Sequence, residues 1–290
     1  MNHILLIMAC ILLLVRCSAA VNITHCDARV PPGETGELQN DLVCDSAGHA
    51  VTLFDDATLN LNGHSITGTF LPWPHDERLP GSVIECDRDC TITGPGEIHD
   101  AIGPGLLPVF GDNATAIRFG TGNIRASVTI QDVTVHHCGY VMQGVTVAPG
   151  YPRARIVATN LTFTDNTGVA IAGAAILDAT NVTADRNLGG ISATRLLRET
   201  NLHVSDNTYG GVSADRVVIN GLVANGNTSV GVSGRIVRLT NATVTGNTFL
   251  GIAEDIFSKT RPRLATSTCT KSQRPHKVIG AAGWGVCTFD

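Results

Sequence analysis

Aromatic side chains make up only 4% of this 290-residue sequence. A globular core built around large rings is therefore not expected, and the 31 glycines suit thin stacked layers of chain better. Basic residues are also in deficit, because 20 Lys and Arg stand against 25 Asp and Glu and give a formal net charge of −5. Without a basic surplus, nucleic acid is not an expected partner.

Helical periodicity is missing from the most regular part of the chain, residues 160–255. This stretch instead repeats a short unit, and every unit carries an asparagine at the same place. The repeat asparagines are Asn166, Asn187, Asn207, Asn227 and Asn247, at intervals of 21, 20, 20 and 20 residues. A unit this short, rich in Val, Ile, Thr and Gly, has room for only three short strands and tight turns.

Such a unit predicts one coil of a parallel β-helix, in which equivalent residues of successive coils lie roughly 4.8 Å apart. We expect a single-stranded solenoid of right-handed coils, since parallel crossovers are overwhelmingly right-handed. The repeat asparagines should then form a ladder in a tight turn, where Asn tolerates left-handed backbone.

A second column, eight residues after the repeat asparagine, alternates in charge. Opposite charges on neighbouring coils attract, so stacking of the whole column is predicted. The alternative for a unit of this length is a leucine-rich repeat, but the Leu positions vary and the second half of the unit has no helical pattern. The residues of this charge column are Arg195, Asp215, Arg235 and Asp255.

The ends of the chain differ from the repeats. Residues 1–20 form an apolar run that ends in small residues, which predicts a secretory signal peptide. A retained membrane anchor is the alternative, although the run is short for a spanning helix. We expect an N-terminal cap at 21–49, the parallel β-helix at 50–258 and a C-terminal cap at 259–290, in a monomer that is secreted or periplasmic and has no membrane span once the signal is removed.

Seven of the nine cysteines follow residue 20, and in an exported chain they should be oxidised where geometry allows. Six cysteines permit many connectivities. Cys138 lies in the asparagine column and is expected to be a small buried thiol. A zinc site at Cys86, Cys90 and His99 is the alternative for two of the others, but no second ligand pair follows. Proximity in sequence favours Cys26–Cys44, Cys86–Cys90 and Cys269–Cys287.

Two early segments, LNLNGHSITG at 59–68 and TITGPGEI at 91–98, precede the asparagine coils. Together they resemble the secreted right-handed β-helix proteins of the pectin-lyase-like superfamily, over roughly residues 26–290. The resemblance implies an all-β parallel β-helix with disulfide-capped ends. It does not imply one reaction, since such folds include pectate lyases, polygalacturonases, alginate lyases, mannuronan epimerases and proteins without known activity.

No catalytic motif of these enzymes is complete in the chain. The NTD, paired Asp, GHG and RIK of polygalacturonases are absent, as are the calcium carboxylates and catalytic Arg of pectate lyases. The DPH[DE] motif of mannuronan epimerases is matched only by Pro74, His75 and Asp76, without its first Asp. No cofactor is evident, although calcium would suit carboxylate ligands.

The candidate site is the column directly before the repeat asparagines, which contains His137, Asp165, Arg186 and Asp206. Lyases and epimerases remove a proton beside a uronate carboxylate that a cation neutralises, whereas hydrolases use two carboxylates. We expect Arg186 to pair with a uronate carboxylate and His137 or Asp165 to take the proton. Asp206 would hold Arg186 or help to bind a cation, and His136 should face the other way. Predicted loops at 69–81 and 148–155 would wall the groove.

Two functions follow from this column. The first is a secreted enzyme acting on acidic polysaccharide as a lyase, epimerase or hydrolase. The second is a non-catalytic extracellular β-helix for glycan binding, adhesion or scaffolding, in which the column is only a compensated surface ladder.

Overall fold

A computed structural model describes residues 20–45, 48–69, 81–102, 115–119, 126–138, 145–147, 153–249, 252–274 and 283–290. In these residues the chain forms strands and no helix. The strands are β1 (Val21–Ile23), β2 (Ala28–Val30), β3 (Thr35–Leu38), β4 (Leu42–Val43), β5 (His49–Leu53), β6 (Ala57–Asn60), β7 (Ser65–Thr69), β8 (Ser82–Cys86), β9 (Cys90–Ile102), β10 (Thr115–Phe119), β11 (Ser127–His136), β12 (Val145–Val147), β13 (Arg155–Thr164), β14 (Val169–Asp185), β15 (Gly189–His203), β16 (Val212–Asn225), β17 (Val232–Thr245), β18 (Thr248–Phe249), β19 (Ile252–Ala253), β20 (Ile256–Ser258), β21 (Arg263–Ala265), β22 (Thr268–Cys269) and β23 (Ser272–Gln273).

Within the described ranges, no helix is long and apolar enough to cross a membrane. The predicted signal peptide lies outside these ranges except for Ala20.

Parallel pairing between successive coils organises the molecule. Twenty-one of the strands in the described ranges join one sheet, in which each coil pairs in parallel with the next. From β13 to β17 the partner is the next strand in sequence, whereas in the earlier coils it is a strand two or three places further along. This connectivity is that of a parallel β-helix and confirms the predicted all-β fold. One unbroken ladder runs through Ala28, Val51, Ile84, Ile117, Val145, Ile171, Ile191, Val212, Val232, Ile256 and Ser272. It begins within 21–49 and ends within 259–290, so strands of the solenoid also lie in both segments predicted as caps.

The core is a stack of inward-facing apolar side chains, most of them aliphatic. In β13, for example, Ile156, Ala158, Leu161 and Phe163 are buried, while the residues between them are partly or fully exposed. The alternation changes phase at Asn160, whose φ of 53° is left-handed and turns the strand through a corner. Pairing continues around such corners, which is why β13 to β17 are longer than the three short strands predicted for each coil.

The repeat asparagines form the predicted ladder inside the solenoid. Asn207 Nδ2 donates to Asn227 Oδ1 at 3.0 Å, and Asn227 Nδ2 donates to Asn247 Oδ1 at 2.7 Å. Their backbone is not left-handed, contrary to the prediction. The left-handed residue is the one before each asparagine, such as Asp206 with φ of 58°, because this turn directs the following amide inward.

The predicted charge column is only partly correct. Asp215 and Arg235 form a bidentate ion pair, with both nitrogen–oxygen distances at 2.9 Å. Asp255 does not belong to the column, because the last coil is longer. Val232 pairs with Ile256, which leaves Lys259 beside Arg235 and places Asp255 in the interior. The pairing of β15 with β16 is irregular between Ser192 and Leu196, the stretch that contains Arg195, and Arg195 forms no ion pair within the described part of the chain.

The three predicted disulfides are confirmed. They join Cys26 to Cys44, Cys86 to Cys90 and Cys269 to Cys287. Cys138 is a free, buried cysteine, and burial raises the pKa of its thiol to about 12. At neutral pH this thiol is therefore protonated and unreactive.

Candidate functional site

The four predicted site residues lie on successive coils and reach the outer surface. The backbone N–H of His137 donates to Thr164, that of Asp165 to Asp185, and that of Arg186 to Ser205, so the column advances one coil at a time. All four residues have a left-handed φ between 50° and 58°. This backbone is unusual for arginine and costs roughly 1 kcal/mol, whereas the later coils have Gly226 and Gly246 at the same position.

Asp165 and Arg186 form the closest ion pair of the column. Arg186 donates from Nε to Asp165 Oδ1 and from Nη2 to Oδ2, both at 2.7 Å. These two hydrogen bonds hold the pKa of the Asp165 carboxyl below its ordinary value. The side chains are 34% and 56% exposed, so the pair is open to solvent and to an incoming ligand. The guanidinium is engaged by the protein itself and must exchange partners before it can hold a substrate carboxylate.

Histidines gather beside this ion pair. The Nδ1 atoms of His136 and His137 lie 2.8 Å apart, so one ring donates its hydrogen to the other. The ring of His136 stacks on that of His99 with centroids 5.2 Å apart, and its Nε2 lies 3.4 Å from Glu97. The expectation that His136 faces away from His137 was wrong, because the left-handed backbone at His137 breaks the alternation of the strand.

His99 was considered from the sequence only as a zinc ligand, and its place in this site with its partner Asp100 was missed, although register indicates it. His99 pairs with His136 across β9 and β11, and His99 Nδ1 lies 2.8 Å from Asp100 Oδ2. That hydrogen bond lowers the pKa of Asp100. The sequence signal for this contact is that the dipeptide His99-Asp100 lies one coil before the dipeptide His136-His137. It is hard to recognise because the early coils differ in length.

Asp206 occupies the last charged position of the column. It is exposed and makes no ion pair with Arg186 in the described residues, so the predicted role of holding Arg186 is not seen. Its carboxylate lies over Gly226, where a Cβ would collide with it. Next to it, burial raises the pKa of Asp185, whose carboxylate lies 3.5 Å from His203.

We use the name histidine face for the surface that these polar groups form. It consists of Glu97, His99, Asp100, His136, His137, Asp165, Asp185, Arg186, His203 and Asp206. It combines imidazoles, whose ring nitrogens can accept or donate a proton, with carboxylates and one guanidinium. These are the groups required for acid–base chemistry on an anionic substrate. The loop walls predicted around it, and Pro74, His75 and Asp76, lie largely or wholly outside the described residues.

A second polar cluster, also missed from the sequence, is fully enclosed. Ser82 Oγ lies 2.8 Å from His49 Nδ1 and donates to Glu85 Oε2 at 2.8 Å, and Arg118 Nε donates to the same oxygen at 2.7 Å. Burial raises the pKa of Glu85 despite Arg118, and burial lowers that of His49 to about 4. Hydrogen bonds within this cluster connect three early coils. The cluster is buried inside the solenoid, whereas the histidine face lies on its surface.

An acidic turn is the remaining cluster that could hold a cation. Ligand oxygens of Asp55, Asp56 and Asp89 lie within 4.8 Å of one another. However, Arg88 pairs with Asp55 at 2.9 Å, and Asp89 accepts the backbone N–H of Ser127 at 2.7 Å. Two of the three carboxylates thus already have partners in the protein, and no other feature of the described residues there points to a ligand.

Comparison with known proteins gives no match, whether to a protein-family model, to a curated protein or to a solved structure.

Proposed function

We propose that the protein is a secreted enzyme of the pectin-lyase-like type, which acts on a uronate-containing polysaccharide at the histidine face. The observation that carries the proposal is the juxtaposition of the His136–His137 pair with the Asp165–Arg186 ion pair on an exposed surface. The motifs at 59–68 and 91–98 support the family. Three disulfides support an oxidising, extracellular compartment.

In this mechanism Arg186 exchanges Asp165 for the carboxylate of a uronate. A neutralised carboxylate makes the adjacent C–H more acidic, and His137 takes that proton. His136 shares the resulting positive charge through the Nδ1–Nδ1 hydrogen bond. In an elimination the electron pair then forms the double bond and the glycosidic oxygen leaves, whereas in an epimerisation a proton returns to the opposite face of the carbon. Asp206 would help to bind a cation, for which calcium is suitable.

A non-catalytic glycan-binding role is the second candidate, and one observation favours it. Arg186 is already satisfied by Asp165, so the column is also consistent with a compensated surface ladder. The two candidates differ in whether the bound glycan is turned over.

The test is an activity screen of the purified protein on polygalacturonate, pectate and alginate. Unsaturated products would be followed by ultraviolet absorbance, hydrolysis by reducing ends and epimerisation by proton NMR. We expect His137→Ala and Arg186→Ala each to lower turnover by at least about 100-fold. Arg235→Ala is the matched control, because it breaks an equivalent exposed ion pair elsewhere on the solenoid and should retain activity.

Binding of a uronan without any product would instead establish the non-catalytic role. Full turnover in both site variants would contradict the assignment of the histidine face.

A further inference from the structure

The face next to the histidine face contains an open trough. It lies on the strand segments that precede the corner residues Asn160, Asn181 and Asn201, and its volume is about 510 Å³. The central column of the trough contains Val157, Asp178, Arg198, Val218 and Arg238, and Arg263 extends it by one coil.

Positive charge is concentrated at the trough, although the protein as a whole is acidic. Five exposed arginines lie on this face. In the described residues, Asp178 is the one carboxylate that is directed to it. Glu199 lies on a lining strand but is buried. The arginines are Arg155, Arg198, Arg216, Arg238 and Arg263.

Asp178 neutralises only part of this charge. It lies 2.7 Å from Arg155 Nη2 and accepts a hydrogen bond from Arg198 Nε at 2.8 Å. Arg216, Arg238 and Arg263 form no ion pair within the described part of the chain. Three guanidinium groups are therefore left to bind an anion from outside, on a chain with a net charge of −5.

Hydroxyl and amide groups run beside the arginines, one per coil. This row consists of Thr159, Thr180, Thr200, Asn220 and Thr240. Among the residues that the structure describes, no aromatic side chain lines the trough. Single-stranded nucleic acids are held by stacking on aromatic side chains, so the lining favours a ligand rich in hydroxyl groups over one rich in bases.

We propose that the trough binds a linear polysaccharide bearing uronate carboxylates. The arginines would pair with the carboxylates and the threonines would bond to the ring hydroxyls. Arg198 and Arg238 are two coils apart, about 10 Å along the solenoid, a spacing that suits charged groups on alternate sugars. The trough is distinct from the histidine face and requires no turnover, so it goes beyond the proposed enzymatic function.

This proposal is tested by affinity electrophoresis and calorimetry with polygalacturonate oligomers, repeated over a series of salt concentrations. We expect binding that weakens as salt is raised, and a loss of about fivefold for each of Arg238→Ala and Arg263→Ala. Asp178→Asn should act in the opposite direction and tighten binding, because it releases Arg155 and Arg198. Arg29→Ala is the matched control, since Arg29 is exposed on the first coil away from the trough.

An equal loss in Arg29→Ala and in the trough variants would overturn the proposal, since it would show only a net-charge effect. Tighter binding to a single-stranded oligonucleotide, lost in the same trough variants, would overturn the choice of ligand. The proposed enzymatic function can fail separately, because the loss of binding expected for Arg238→Ala and Arg263→Ala is measured without any product being formed.

Discussion

Asn247 donates its side-chain amide to Asp255 Oδ1 at 2.9 Å, and its backbone N–H bonds to the same oxygen at 3.2 Å. The other oxygen, Oδ2, accepts the backbone N–H groups of Thr270 at 2.6 Å and Lys271 at 3.2 Å. The backbone N–H of every repeat asparagine donates in this way to the side-chain oxygen of the next coil, until a fully buried carboxylate that only accepts ends the ladder.

We predict that Asp255→Asn lowers the free energy of unfolding by about 2–3 kcal/mol. An amide has one acceptor oxygen instead of two, so buried N–H groups of Asn247 or Thr270 lose their partner. Urea unfolding measures the change. Asp215→Asn is the control, because Asp215 is exposed and its ion pair should contribute less than about 1 kcal/mol. Equal effects of the two substitutions would contradict the role of Asp255 as the end of the ladder.

Regular coil length explains which positions could be predicted. Asn166 to Asn247 repeat at almost constant intervals, so their stacking follows directly from the sequence. Asp255 follows Arg235 at the regular interval of 20 residues but does not stack on it, because extra residues in the last coil shift the register.

The histidine face was predicted only in part for a similar reason. Asp165, Arg186 and Asp206 belong to regular coils and His137 lies 28 residues before Asp165, whereas His99 lies 37 residues before His136. The left-handed turn at His137 also brings His136 to the same surface, which simple strand alternation cannot anticipate. The cluster of His49 and Ser82 lies entirely on irregular coils and was not predicted.

Glu199 should make the protein less stable as the pH rises. It is buried between Ala179 and Ile219 of the adjacent coils, with neither carboxyl oxygen hydrogen-bonded, and burial raises its pKa to about 8. Below the ordinary value of 4.5 both the folded and the unfolded chain hold this proton. Between these two values only the unfolded chain releases it, so the contribution of Glu199 to stability falls and then levels off above pH 8.

Urea unfolding of Glu199→Gln and Glu199→Leu across this pH range checks the prediction. Glutamine does not titrate, so its variant should show a smaller loss of stability between pH 5 and pH 8. Leucine suits the apolar neighbours and should stabilise the protein more at pH 8 than at pH 5. An unchanged pH dependence in both variants would show that Glu199 is charged or solvated in the folded protein.

The terminal disulfides should stabilise the two ends more than the middle. Cys26–Cys44 and Cys269–Cys287 each span 18 residues, which corresponds to about 3 kcal/mol in the chain-entropy model. After reduction we expect amide hydrogen exchange to accelerate first near Ala28 and Thr268, while Asn207 remains protected. Simultaneous loss of protection along the whole chain would contradict local stabilisation of the ends.

Arg186→Gln should raise the pKa of Asp165 towards its ordinary value, because the hydrogen bonds from Arg186 are the main cause of its lowering. A titration of the side-chain carboxyl carbons by NMR measures this directly. Asp132 is the internal control, since its pKa is lowered chiefly by Asn160 and should not move. The free energy of unfolding should change by less than about 1 kcal/mol, because both partners are exposed. If the titration of Asp165 is unchanged in the variant, the bidentate pair does not form in solution, and Arg186 has no partner to exchange for a uronate carboxylate.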